Sequence, residues 1–417
     1  MNSKAKATDI KEGNQPTVLP KLRFPAFRET GGWDERKISD FLIESRLPGS
    51  KGNIAKKITV KLWGNGVFEK SEAIKGSINT QYFRRRSGQF IYSKLDFVNQ
   101  AFGVIPARLD NFESTVDLPC FDIVDEINSV FLLEYVKRKD FYERLGETAD
   151  GSRKARRIHA ETFLSFSIDF PTPPEQQKIA ECLSSADELI VAQARKLEAL
   201  KTHKKGLMQQ LFPREGETQP RLRLPEFLNS PEWMVKSFGE AATFYNGKAY
   251  SQEELLEEGK YKVLRVGNFF TNNSWYYSDL ELDDTKYCEE GDLLYAWSAS
   301  FGPRIWRGKK TIYHYHIWKV IERQGIDRRF LFIALENETN KIKSQSANGL
   351  GLLHITKGTI ENWGSAFPRP TEQRQIADCL TSLDDLIAAQ AQGLEALKTH
   401  KKGLMQQLFP SQVEAAA

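Results

Sequence analysis

The chain has 417 residues, 40% of them hydrophobic, with 26 Phe, 13 Tyr and 8 Trp, enough apolar material for two or three domains with cores of their own. Its 59 Lys and Arg against 55 Asp and Glu leave a net charge of +4, so any polyanion binding has to come from local patches and not from the whole surface. There is no long apolar run and no signal-peptide core, which argues against membrane or export and makes the cytoplasm the expected compartment; four cysteines without metal or disulfide spacing are expected as reduced thiols.

Residues 1–18 are polar and are expected to form a disordered tail. A first mixed module is expected over 19–169, with strands at 57–62 and 89–92 and a helix over 128–142. Cations and aromatics interleave in two of its loops: Tyr82 and Phe83 lead into Arg84, Arg85 and Arg86, and Arg153, Lys154, Arg156 and Arg157 run towards His159.

A long helix follows within 170–213. Ile179, Leu183, Ala186, Ile190, Gln193, Leu197, Leu200, Lys204, Leu207 and Leu211 step by four and three, the 3.5-residue period of a coiled-coil seam. Prolines open the stretch, an acidic residue follows in the first turn, and a Lys-rich turn precedes Phe-Pro, as helix start and stop rules require. The expected length is about 37 residues, on the order of 55 Å.

The second module is expected over 214–366, with strands at 261–266, 292–297 and 312–320 and a helix over 328–343. Its polar and aromatic candidates are Lys248, Tyr250, Arg265, Asn268, Trp297, Ser298, Arg304 and Arg307, with Trp275, Tyr276 and Tyr277 nearby. Lys and Arg neutralise phosphates, the Arg fork reads guanine, and Asn reads adenine, so two such sets in duplicated modules point to DNA. His314 and His316 are expected on one strand face as satisfied side chains, without a third metal ligand.

Within 367–410 the long helix recurs, before a short tail at 411–417. Residues 175–213 and 372–410 are identical at 30 of 39 positions, always 197 apart, and their last 17 residues match without change. The second seam runs through Ile376, Leu380, Leu383, Ile387, Gln390, Leu394, Leu397, Lys401, Leu404 and Leu408. Such helices bury their stripes most simply against each other, as an intramolecular antiparallel coiled coil in which Gln193 and Gln390 face each other at the midpoint, either to help set the register or merely at a wet crossing. The modules carry fainter echoes of the duplication: 19–27 answers 219–227 and Trp33 answers Trp233, both 200 apart. The fold class is therefore α/β, two mixed α/β domains in tandem joined by two long helices.

No phosphate loop, dinucleotide fingerprint, zinc-protease helix or nucleophile elbow occurs. The proline-led Pro-x-Pro-x-Glu-Gln at 171–176 and 368–373, each running into Ile-Ala and a Lys-rich helix ending Gly-Leu-Met-Gln-Gln-Leu-Phe-Pro, resembles the specificity subunits of type I restriction-modification systems. Asn246-Gly247-Lys248-Ala249, the Gly-Asp-Leu-Leu-Tyr stretch from 291, Phe301-Gly302 and His354-Ile355 resemble that family's target-recognition pattern; the first module departs from it more. The resemblance covers about 20–410. It implies a non-catalytic subunit whose modules each recognise one half of a split, asymmetric site in double-stranded DNA. The helices would set the gap and dock two methyltransferase subunits, with two motor-nuclease restriction subunits added. No cofactor is expected on this chain: S-adenosylmethionine would belong to the methyltransferase partner, ATP and Mg to the restriction partner. The competing reading is a coiled-coil interaction scaffold without DNA specificity.

Overall fold

The computed structural model describes residues 18–71, 76–147, 157–270, 273–298, 301–346 and 355–410. The tail at 1–17 and Arg153, Lys154, Arg156 and His354 lie outside the described residues. The two long helices are Pro173–Leu211 and Pro370–Leu408, 39 residues each, about 58 Å at 1.5 Å per residue. Proline at the first position forfeits no helical hydrogen bond, and Phe-Pro ends each helix.

The chain forms two compact units, one reaching to Ala194 and resuming at Gln392, the other Arg195–Ala391. Each helix thus begins in one unit and ends in the other. In the first unit Ile179, Ala180 and Leu183 share a core with Leu408 and Phe409, with Leu404 and Met405 at its edge. In the second unit Ile376, Ala377 and Leu380 meet Met208, Leu211 and Phe212. The start of one helix packs on the end of the other in both cases, so the pairing is antiparallel. The seam lysines are neutralised there: Lys401 lies 2.7 Å from Asp187 and 3.1 Å from Glu134, and Lys204 lies 2.6 Å from Asp384 and 3.7 Å from Glu336. Gln193 sits beside Gly393, whose missing side chain leaves room for the amide.

The repeated Glu-Gln pair explains how each module is strapped to its helix. Arg23 makes a two-pronged ion pair with Glu175 at 2.8 and 2.7 Å, and Trp33 Nε1 donates to the same carboxylate at 3.4 Å. Arg223, Glu372 and Trp233 repeat this at 2.8, 2.7 and 3.2 Å. Gln176 accepts from the Asn128 amide and donates to Pro171 O; Gln373 accepts from the Asp327 amide and donates to Pro368 O. The motif is a buried joint between chain entry, helix start and module.

Each module is built on an antiparallel four-stranded sheet in equivalent order. In the first the order is Leu42–Glu44, Cys120–Ile123, Phe90–Tyr92, Phe102–Val104; in the second it is Ala242–Asn246, Ile317–Glu322, Leu293–Ala296, Gly302–Ile305. Strand alternation splits the side chains between two cores. Phe90, Tyr92 and Phe121 face the helix ends, while Ile91 and Cys120 face Ile58, Val60 and Val67. In the second module Leu293, Tyr295 and Trp318 face the helices, while Leu294, Ala296 and Ile317 face the other core. A lobe covers that other face, and here the modules part. The first lobe has a three-stranded sheet, Pro48–Lys51, Gln81–Arg84 and Glu113–Ser114, and a hairpin, Ile58–Val60 and Val67–Glu69. The second has a four-stranded sheet ordered Tyr276–Ser278, Tyr261–Leu264, Thr311–Tyr313, Tyr287–Cys288, with Val263 and Ile312 paired in parallel.

Two expected elements are divided. The helix over 128–142 is Ser129–Val136 followed by Lys139–Gly146, because Arg138 turns inward to donate to Pro410 O at 3.1 Å and to lie over Tyr135 and Phe409. The strand over 312–320 is Thr311–Tyr313 and Ile317–Glu322, with His314, Tyr315 and His316 in the turn between them. The two histidines are therefore not on a strand face.

Candidate nucleic-acid interface

In the second module the Asn-Gly-Lys-Ala segment lies directly on the turn that carries the histidines. Lys248 N donates to Tyr313 O and Tyr315 N donates to Lys248 O, both at 3.0 Å. A Cβ at Gly247 would stand 2.3 Å from Tyr313 O and 2.4 Å from His314 O, so only glycine permits this approach. Lys248 pairs with Glu254 at 3.0 Å, and Tyr250 stacks on His314 at 6.2 Å. These two are wall and support of the turn.

The turn borders a cleft of about 300 Å³ lined by Arg265, Asn268, Ser274, Tyr276, His314 and His316, with 266–267 at its floor. Arg265 follows the strand Tyr261–Leu264, is exposed, and lies over the Tyr276 ring at 5.1 Å. His314 is half-buried, and its imidazole is pushed down to about 4, by burial first and then by His316 and Arg265. Asn268 is engaged: its Nδ2 donates to Ser274 O at 2.6 Å and its Oδ1 accepts from Arg265 N at 3.3 Å. These two bonds tie it into the loop. Trp297 Nε1 donates to Tyr315 O at 2.8 Å and its ring meets His316 at 4.8 Å, with half-buried Ser298 next to it. Arg304 lies over Phe270 at 4.9 Å and Phe269 at 5.8 Å, and Arg307 is exposed.

The first module's arginines separate by strand alternation. Arg84 and Arg86 are exposed, and Arg157 is exposed 4.0 Å from Asp117. Arg85 points inward and is 2% exposed: it donates to Ser114 Oγ at 2.8 Å, Ser45 O at 2.6 Å and Leu118 O at 3.2 Å. Expected from sequence as a DNA contact, it is instead a structural cation with its hydrogens spent inside the lobe. Trp63, which the sequence reading passed over, is 61% exposed at the tip between Ile58–Val60 and Val67–Glu69, with φ of 59°. Its amide donates to Asn99 O at 2.7 Å, which holds that left-handed backbone in place. The signal for it was a Trp directly before a Gly-Asn-Gly turn.

Among the described residues no cluster of three His, Cys, Asp or Glu is suited to a metal, and no helix is long and apolar enough to cross a membrane. What the molecule presents is a repeated helical frame with two diverged polar and aromatic lobes. The model for the type I restriction modification DNA specificity domain matches residues 231–399. The MjaVIII type I specificity subunit of Methanocaldococcus jannaschii is 27% identical over 274 residues, 61% of this chain and 64% of that protein. The match thus spans less than two thirds of that relative. The putative MjaX specificity subunit of the same organism is 25% identical over 293 residues, 68% of this chain and 67% of the other. The S subunit structure from M. genitalium shares the fold with a TM-score of 0.57 at 18% identity, over 94% of this chain and 100% of that one. A chain from a structure on complex assembly and conformational transition of the type I system gives 0.58 at 16%, over 91% and 98%. Residues 231–399 thus match the family's DNA specificity domain, and the chain is similar to type I restriction-modification specificity subunits.

Proposed function

We propose that this chain is the non-catalytic DNA-reading subunit of a cytoplasmic type I complex, each lobe reading one half of a split, asymmetric site. The observation that carries the reading is the contrast between a duplicated frame and two lobes of different topology on it. Identical frames suit two copies of one partner, and different lobes suit two different sequences. Exposed Arg84, Arg86 and Arg157 in the first module and Arg265, Arg304 and Arg307 in the second are the proposed DNA contacts. Arg153, Lys154 and Arg156 are added from sequence alone, and Lys248, Tyr250, Asn268, Trp297 and Ser298 are proposed as their supports.

The helices are proposed to fix the unread gap and dock two methyltransferase subunits, with two restriction subunits joining for cleavage. Repeat-equivalent surfaces support twin docking: Leu189 and Leu386 are exposed, 58% and 41%, and both Lys-rich turns expose the same Lys-Thr-His, at 201–203 and 398–400. S-adenosylmethionine would then serve the methyltransferase, which must flip an adenine from the stack; ATP and Mg would serve the restriction subunit.

Single-molecule sequencing of adenine methylation in cells carrying this chain with its methyltransferase subunit tests the reading. A split motif that depends on this chain, and changes in one half when one module is exchanged, is the expected result. Methylation with no such motif would leave the frame as an interaction scaffold.

A further inference from the structure

Resting on the DNA-reading role, we propose that the second module's cleft reads a guanine, with the Arg265 guanidinium as the discriminating group and His314 as an uncharged donor beside it. Three features converge on this edge. Arg265 is exposed, its guanidinium carbon lies 5.1 Å over the Tyr276 ring, and no described carboxylate takes its hydrogens, so its fork is available. Guanine offers two acceptors, O6 and N7, in the major groove, the pair an Arg fork matches.

The cleft's described lining holds no carboxylate to accept from cytosine N4 or adenine N6. The one amide among its described lining residues, Asn268, is tied to Ser274 O and to the Arg265 backbone. His314 Nδ1 accepts from the His316 amide at 3.4 Å, which places the ring proton on Nε2 and makes that nitrogen a donor. Half-burial, His316 and Arg265 keep that ring neutral, so the positive charge of the cleft stays on Arg265. Gly247 acts one step behind, since the backbone approach it permits sets the height of the histidine turn.

The test uses the assembled methyltransferase complex and a DNA library randomised in the second module's half-site. For Arg265→Ala, preference for G at one position is expected to fall on the order of 10- to 100-fold, with the first half-site unchanged. For Arg265→Lys, affinity should recover in part while the preference does not, because a point charge lacks the fork. Weakening that is uniform over all sequences, up to complete loss, with a salt slope lower by about one, would mark a phosphate contact and overturn the proposal while leaving DNA reading intact. Unchanged preference and affinity would overturn it as well. Absence of a split motif in the unmodified complex would instead remove the reading on which it rests.

Discussion

At the residue scale, exposure and backbone angle sort the arginines and aromatics into supports and contacts. Arg85 spends its guanidinium hydrogens on one hydroxyl and main-chain carbonyls inside the first lobe. Arg85→Met should therefore destabilise the protein by about 3 kcal/mol, since it strands those acceptors, whereas Arg84→Met should change stability little. Urea midpoints of the two variants decide between support and surface; equal midpoints would return Arg85 to the candidate contacts. Trp63 is the opposite case. Its left-handed backbone costs on the order of 1 kcal/mol for a side chain other than glycine, and its ring is mostly in solvent. Trp63→Gly should leave thermal stability unchanged or raised while weakening binding to the first half-site, as removal of a stacking or wedging ring does. Lowered stability with unchanged binding would make Trp63 a structural residue of the turn.

At the element scale, the frame was legible because a 3.5-residue period sustained over ten seam positions has no competing solution, and an internal repeat doubles the signal. The lobes were not. Their strands are two to four residues long, too short for alternation to fix direction or order, and Arg85, buried, directly follows exposed Arg84 at a strand's end. The histidine turn was hidden because 312–320, rich in aromatic and β-branched residues, reads as one strand, while the break comes from the distant Gly247 segment. The seam lysine of each helix is neutralised by two acids. Glu134 is buried, which alone would raise its carboxyl, but the ammonium groups of Lys137 and Lys401 hold it below the usual carboxylate range. A folded value below the unfolded one gives stability that is complete above about pH 4.5 and is lost as pH falls through the depressed value. The stability gap between the parent chain and Glu134→Gln should therefore narrow between neutral pH and pH 3 in urea titrations. A gap independent of pH would show that the pair contributes by packing alone. On the outer faces, Leu189→Glu with Leu386→Glu should abolish association with the methyltransferase subunit while leaving the melting temperature near the parent's, because both side chains are exposed. Intact association in a pull-down would place docking elsewhere on the frame.

At the scale of the whole molecule, the proposed division of labour would make gap length a property of helix length. Each long helix contributes residues to both units, and under the proposed ruler a change in helix length is passed to the gap. Four residues inserted at one helix midpoint add about 6 Å and turn the seam by only about 40°, close to one full turn, so the apolar stripe can still find its partner. Neither lobe is touched, and the Arg23–Glu175 and Arg223–Glu372 joints lie in the opening turns, far from the insertion. The expected result is a methylation motif with both half-site sequences unchanged and a gap longer by about one to two base pairs, at 3.4 Å each. A gap that stays fixed would show that the lobes, and not the helices, set the spacing. A change within either half-site would show that reading is coupled to the frame, and that the two lobes are not independent readers.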